Sequence, residues 1–461
     1  MNNLGVKSCK KTEQKMIGKL PPENQTNIFK PLLVDFIDLQ HELVILAKTI
    51  DWRELEKELT EYYSKKGQPS MPIRFMSGCL LLKRYYNLGD ETLADEWVMN
   101  PYMQYFCGYS HFEHKFPCDP SDLVHFRKRI GEKGIEKIFV QTVKLHGEKV
   151  KSKQLLSDTT VQENNITYPT DSKLSKKIID KCNRIAEEES IKQRQTYKRV
   201  SKQLLRDSYN SQHPSRKKKA RKAIKRLKII AGRQVRELAR KLPEEIKWLY
   251  QPELELYNRV LTQKKNDKDK IYSLHKPFTS CISKGKAHKK YEFGNKIGIM
   301  MNPHDLVILG VESYKGNPHD SKTIEPLLKQ IEKNLEYQPE EVIYDRGGRG
   351  AAEINGVKIS TPKPPLKRES NYQKAKKRTK FRRRAAIEPV IGHLKKDFRM
   401  EQNYLHGEAS PKINALLAAA GWNLKKLSEK LKKKIFVLFK KTLAHLFKNA
   451  FVHNFTRLCY S

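Results

Sequence analysis

Between Phe381 and Lys395 the chain reads Phe-Arg-Arg-Arg-Ala-Ala-Ile-Glu-Pro-Val-Ile-Gly-His-Leu-Lys, with a single acid, Glu388. Ten of the eighteen residues from Lys367 to Arg384 are Lys or Arg. Cations at that density attract phosphate whatever the base sequence. A lone carboxylate in such surroundings needs a cation of its own, and a divalent metal beside a nucleic-acid backbone meets that need. Two other acids stand in contexts that single them out. Asp158 lies inside the branched run Leu155-Leu156-Ser157-Asp158-Thr159-Thr160-Val161, and Asp345 ends Val342-Ile343-Tyr344-Asp345 just before Gly347 and Gly348. Drawn together, Asp158, Asp345 and Glu388 can offer hard oxygen ligands to two Mg²⁺ or Mn²⁺ ions. Two such ions serve phosphodiester hydrolysis or transfer, one beside the attacking oxygen and one beside the leaving oxygen. Residue types alone leave the plain alternatives open: strand-end capping for the two aspartates, and a surface ion pair between Arg384 and Glu388.

Bringing these acids together calls for an α/β region over 151–428. The spacing predicts a strand at 154–161, with β-like segments at 291–301 and 306–312. A helix through Ile324, Leu327, Leu328 and Ile331 follows, then a strand ending at Asp345, where sites in α/β sheets usually sit. A short strand near 357–361 precedes the basic run. Arg384, Glu388, Gly392 and Lys395 share one helical face, but Pro389 denies an amide to the carbonyl of Ala385, so the helix either kinks or starts there. Asp171 and Asp320 read as caps of following helices.

A helical insertion at about 171–265 interrupts this region. One of its faces is apolar (Ala220, Ile224, Leu227, Ile230, Val235, Leu238, Leu242), and Lys218 and Arg221 stand among the cations of the others. It reads as a basic hairpin laid along a duplex, with a solvated charged face as the alternative. Upstream, 28–150 reads as an all-α domain for DNA binding or dimerisation. Its helix after Asp119-Pro120-Ser121 is expected to turn Leu123, Phe126 and Ile130 inward and Arg127, Lys128 and Arg129 outward. Cys107, His111, His114 and Cys118 have a spacing that fits no common zinc finger, and the aromatic residues around them point to a packed loop. Residues 1–27 read as a flexible leader and 429–461 as a basic amphipathic tail.

The formal net charge of +40 over 461 residues, from 92 Lys plus Arg against 52 Asp plus Glu, points to a polyanionic partner, with nucleic acid foremost. Hydrophobic residues at 38% are enough for real cores, which excludes a chain disordered throughout. No apolar run reaches membrane-spanning length and the N-terminus lacks a signal-peptide core, so no membrane association is expected. Seven scattered cysteines argue against a disulfide framework. A cytoplasmic location follows as an expectation.

Several stretches carry a resemblance: Asn100-Pro101-Tyr102-Met103-Gln104-Tyr105-Phe106, Asp158-Thr159-Thr160-Val161-Gln162-Glu163, Glu292-Phe293-Gly294-Asn295-Lys296, Asp345-Arg346-Gly347 and Ile387-Glu388-Pro389-Val390-Ile391-Gly392-His393-Leu394-Lys395. Over most of 30–427 the sequence resembles bacterial insertion-sequence transposases of the DDE superfamily, especially the fourth and fifth insertion-sequence families. The Tyr-x2-Arg-x3-Glu-x6-Lys signature of those families falls on Phe381, Arg384, Glu388 and Lys395, with Phe381 in place of the tyrosine. Gly348 replaces an aromatic often found after the second aspartate's glycine. The resemblance implies an RNase H-like catalytic domain with a mixed sheet flanked by helices. It implies Asp158, Asp345 and Glu388 as the triad for two Mg²⁺ or Mn²⁺ ions, and Phe381, Arg384 and Lys395 as DNA contacts. It also implies double-stranded DNA (element ends and target) as substrate and a homodimer on paired ends. A nucleic-acid-binding protein that kept this fold and lost its chemistry is the alternative.

Overall fold

A computed structural model describes residues 15–21, 30–264, 266–283, 289–348, 350, 352–362, 366 and 368–433. Eight strands form one sheet: β1 (Gln154–Asn164), β2 (Ser280–Ser283), β3 (Tyr291–Met301), β4 (Ile308–Tyr314), β5 (Glu341–Ile343), β6 (Glu353–Ile354), β7 (Val357–Ser360) and β8 (Gln402–Asn403). Their order is β2-β3-β1-β5-β7-β6, with β4 also along β3 and β8 also along β1. β1 runs antiparallel to β3 and parallel to β5, and β5 is parallel to β7, so the sheet is mixed. Parallel neighbours need long crossovers. Between the parallel neighbours β1 and β5 the chain runs through the insertion, β2 to β4 and the helix Ile324–Leu335, which buries Ile324, Leu327, Leu328 and Ile331 as its spacing predicts.

Gly294 in β3 shows how tightly the central strands meet. A Cβ there would stand 1.9 Å from the carbonyl oxygen of Gln162 on β1, so any side chain would force the strands apart. The free edge of β4 is capped at its first residue by Asn423 from the helix at 410–433, whose side chain accepts from the Ile308 amide at 2.9 Å and donates to its carbonyl at 2.9 Å. Edge groups left open invite foreign strands.

The N-terminal helices, including Ile73–Tyr85 and Asp122–Lys144, share one continuous core with this sheet and the 410–433 helix. Asp51 caps Trp52–Leu59 by accepting from the Glu54 amide at 3.0 Å. Ile17 pairs with Ser70 and, with Leu20, packs on the same core, so this part of the expected leader is held. Residues 1–14 and 22–29, and the expected tail beyond 433, lie outside the described residues. Cys107 is buried beside Cys79, Sγ to Sγ 3.9 Å, and His111 meets the Ser110 hydroxyl at 2.9 Å.

The insertion has its own core. Asp171–Glu188, Lys198–Asp207, Pro214–Lys241 and Glu244–Thr262 enclose Leu227, Ile230, Val235, Leu238 and Leu242 together with Ile178, Ile179, Cys182 and Tyr257. Thr170, rather than Asp171, caps its first helix by accepting from the Lys173 amide. No helix among the described residues is long and apolar enough to cross a membrane.

Candidate active site

Parallel pairing of β1 with β5 aligns Leu156 with Ile343, so two residues further on Asp158 and Asp345 leave the paired region at the same level. Adjacent strands lie about 4.8 Å apart, which makes the two carboxylates neighbours. Asp158 is largely buried; its Oδ1 accepts from the Thr159 amide at 2.7 Å and its Oδ2 from Arg384 Nη2 at 2.9 Å. Burial pushes its carboxyl above the usual aspartate range, the Arg384 charge and the Thr159 amide oppose that, and the charge of Asp345 adds to it.

Asp345 is steadied by the Gly347 amide, which donates to its Oδ1 at 2.8 Å across the turn Arg346–Gly348. Gly347 is needed there: a Cβ would stand 2.4 Å from Asp320 Oδ2 and 3.0 Å from Asp345 Oδ1. Two carboxylates thus crowd the same point of backbone. At Gly348 a Cβ would stand 2.4 Å from the ring of Tyr344, so the absence of a side chain at this position lets the Tyr344 ring lie there.

Asp320 corrects the sequence reading. It does not cap the following helix; His319 accepts from the Ser321 amide in that role. Asp320 instead accepts from the Thr159 hydroxyl at 2.9 Å and pairs with Lys296 at 2.5 Å. A third aspartate and a buried lysine therefore join the floor of the site, and no sequence spacing announces them.

Glu388 arrives on Ile387–Asp397, a helix separate from Asn371–Arg384. The helix starts rather than kinks at this proline. Pro389 falls in its first turn, where a missing amide costs least. Across the break, Arg384 Nη2 reaches Glu388 Oε1 at 3.2 Å while also holding Asp158. Glu388 is 62% exposed and Arg384 only 17%. Among the described residues no three acids, histidines or cysteines converge tightly enough to hold a metal. Asp158 and Asp345 come together directly, and Glu388 joins them through a guanidinium.

Phe381 is half-buried at the edge of the main core, with the Lys380 ammonium 6.0 Å from its ring centre. Lys380 pairs with Glu341, which ties the basic helix to the start of β5. Lys395 is half-buried in the last turn of the Glu388 helix. Lys218 and Arg221 are exposed on Pro214–Lys241. Arg129 is exposed and stacks over Tyr63 at 5.0 Å. Arg127 departs from the expected outward face. It is buried, and both its terminal nitrogens reach Asp90 at 2.8 Å, because the carboxylate that neutralises it lies in the interior.

Residues 32–129 match a transposase domain (DUF772), and residues 262–424 match the transposase DDE domain. A Rhizobium meliloti protein described as uncharacterized protein ORF8 in the nfe locus is 34% identical over 189 residues, covering 40% of this chain and 90% of the relative. The chain belongs to the DDE transposase family. No solved structure matches it. The mixed sheet with flanking helices is the RNase H-like fold that the DDE domain implies. In this transposase the matched DDE segment includes Asp320, Asp345 and Glu388; Asp158 lies upstream of it, on the far side of the insertion.

Proposed function

We propose that this DDE transposase binds the ends of its element and cuts and joins DNA strands, using Asp158, Asp345 and Glu388 to hold two Mg²⁺ or Mn²⁺ ions. The observation that carries this reading is the β1–β5 register, which sets Asp158 and Asp345 level beside a guanidinium that also grips Glu388. The residues fit the metal. Two partly buried neighbouring carboxylates repel one another and favour a cation between them, and their oxygens are the hard donors such ions take. Bound ions of this kind supply positive charge at the attacking and leaving oxygens.

The chain's own groups do the rest. The helix Asn371–Arg384 carries cations on all sides and draws in the DNA backbone. Arg384 neutralises Asp158 and Glu388 in the free protein and, released from them, can meet a phosphate with the same nitrogen. Lys395 and Phe381 flank it as further strand contacts, while Lys218, Arg221 and Arg129 offer exposed charge and Arg127 serves the fold. Two ends cut in concert call for a homodimer on paired DNA.

The test uses the full chain and a plasmid carrying the element with its flanking DNA. Wild type is expected to nick it with Mg²⁺ and not with chelator. Asp158→Ala, Asp345→Ala and Glu388→Ala are each expected to bind the DNA and leave it uncut. Cleavage that persists in all three variants would contradict the proposal.

A further inference from the structure

A second charged site lies where the N-terminal helices meet the segment after the Glu388 helix. There a cavity of about 520 Å³ is lined by Lys83, Arg84, Asp90, Arg127, Arg399 and Tyr404, among others. Lys83, Arg84 and Arg127 are buried. Among the described residues the cavity's carboxylates are Asp90 and the exposed Glu91. Asp90 is already shared: Lys83 reaches it at 2.6 Å and Arg127 grips both its oxygens at 2.8 Å. Arg84 donates to neutral groups, the Phe398 carbonyl at 3.2 Å and Asn414 Oδ1 at 2.6 Å, and its buried Nε has no hydrogen-bond partner. Arg399 donates to the Asn87 carbonyl at 3.1 Å.

Buried cations in excess of their counter-ions are costly unless something anionic joins them. Burial and the adjacent Arg84 charge press the Lys83 ammonium down to about 7, and burial with Arg127 and Arg399 nearby lowers Arg84 to about 9. Burial is the larger cause of both shifts, and the neighbouring cations add to it. The cavity is also roomier than a phosphate needs, and the half-exposed Tyr404 ring stands at its wall with the Arg399 guanidinium 5.7 Å from the ring centre. A ring beside a guanidinium is a platform on which a base can stack.

We propose that this cavity binds a nucleotide unit, with its phosphate against Arg84, Arg399 and Lys83 and its base against Tyr404. The inference stands on the cavity's charge and does not require the metal reading of the acids. Its place nonetheless suits a strand anchor. The helix from Glu388 toward Arg399 has eleven residues, so the two ends are roughly 16 Å apart, within the footprint of a bound duplex.

The experiment titrates the full-length protein with dAMP and, separately, with a five-nucleotide oligothymidylate, reading thermal stabilisation and calorimetric binding without metal. Wild type is expected to bind. Arg399→Ala and Tyr404→Ala, both at partly exposed positions, should each weaken binding at least fivefold. Oligonucleotide binding tighter than dAMP would identify the occupant as part of a DNA strand; tighter dAMP binding would identify a free nucleotide. Absence of binding to both ligands, or binding indifferent to Arg399→Ala and Tyr404→Ala, would overturn the proposal. Failure here with metal-dependent nicking intact would leave the catalytic reading standing.

Discussion

Arg384 Nη2 lies 2.9 Å from Asp158 Oδ2, and the same nitrogen lies 3.2 Å from Glu388 Oε1. A guanidinium thus stands between two of the three acids to which metal binding is assigned. On the proposed reading, a divalent ion and this arginine compete for Asp158.

That competition can be measured without DNA. Arg384→Gln is expected to tighten Mn²⁺ binding by about tenfold, the factor that roughly 1.4 kcal/mol carries, while lowering DNA cleavage. Calorimetry or electron paramagnetic resonance of Mn²⁺ reports the affinity. Unchanged or weaker Mn²⁺ binding would show that Arg384 does not hold the metal's place.

Asp320 and Lys296 form a largely buried pair at the floor of the site, 2.5 Å apart. Breaking such a pair from one side leaves an uncompensated charge and costs about 3–5 kcal/mol. Asp320→Asn is therefore expected to destabilise the fold strongly, and Asp320→Asn with Lys296→Met to recover most of the loss. Denaturant unfolding of the two variants checks this. Equal destabilisation in both would assign Asp320 a role beyond balancing Lys296.

The contrast between exposed and buried arginines predicts different phenotypes. Lys218→Ala with Arg221→Ala is expected to weaken DNA binding and flatten the slope of log K against log salt by about 2, one contact each. Arg127→Ala is expected to leave that slope alone and lower thermal stability, because it strips Asp90 of its bidentate partner. Filter binding across a salt series separates them, and an unchanged slope in the Lys218/Arg221 variant would remove the insertion from the DNA path.

A pH dependence follows from Glu42, which joins the helix Glu42–Thr49 to the 410–433 helix through Ser428 and Lys432, each at 2.7 Å. Burial raises its carboxyl, but hydrogen bonds from Lys432 and Ser428 outweigh this and hold it at about 2 against the usual 4.5. A depressed folded value means stability that is fully present above pH 4.5 and lost as pH falls toward about 2. Glu42→Gln should melt below wild type at pH 7, and the gap should close between pH 4.5 and 2. A gap that is constant with pH would contradict the charge argument.

Asp158, Asp345 and Glu388 stand out as candidates because each context is local: a branched strand, a glycine turn, an acid behind a basic run. The approach of Asp158 to Asp345 is not readable from the sequence, since it depends on Leu156 facing Ile343 across two strands separated by the whole insertion. Arg127 misled because helical spacing places it beside Phe126, and nothing nearby shows that Asp90 waits inside. Asp320 misled for a similar reason: its surroundings read as a cap, but His319 took that role and the aspartate turned to Lys296. Pro389 left a kink or a start equally open, and the break after Arg384 decided it. The insertion's apolar face was periodic enough to be read in advance, because its core is built largely from its own helices.

The central claim is that Asp158 and Asp345 share a metal, joined by Glu388 once Arg384 lets go. Replacing Mg²⁺ with Fe²⁺ and adding ascorbate and peroxide generates radicals at the bound iron, which cut the polypeptide nearby. Mapped by mass spectrometry, the cuts are expected to cluster near residues 158 and 345, with a third near 388 that strengthens when DNA is bound, and to vanish in Asp158→Ala with Asp345→Ala. Cuts that fall elsewhere, or that persist in the double variant, would contradict the account.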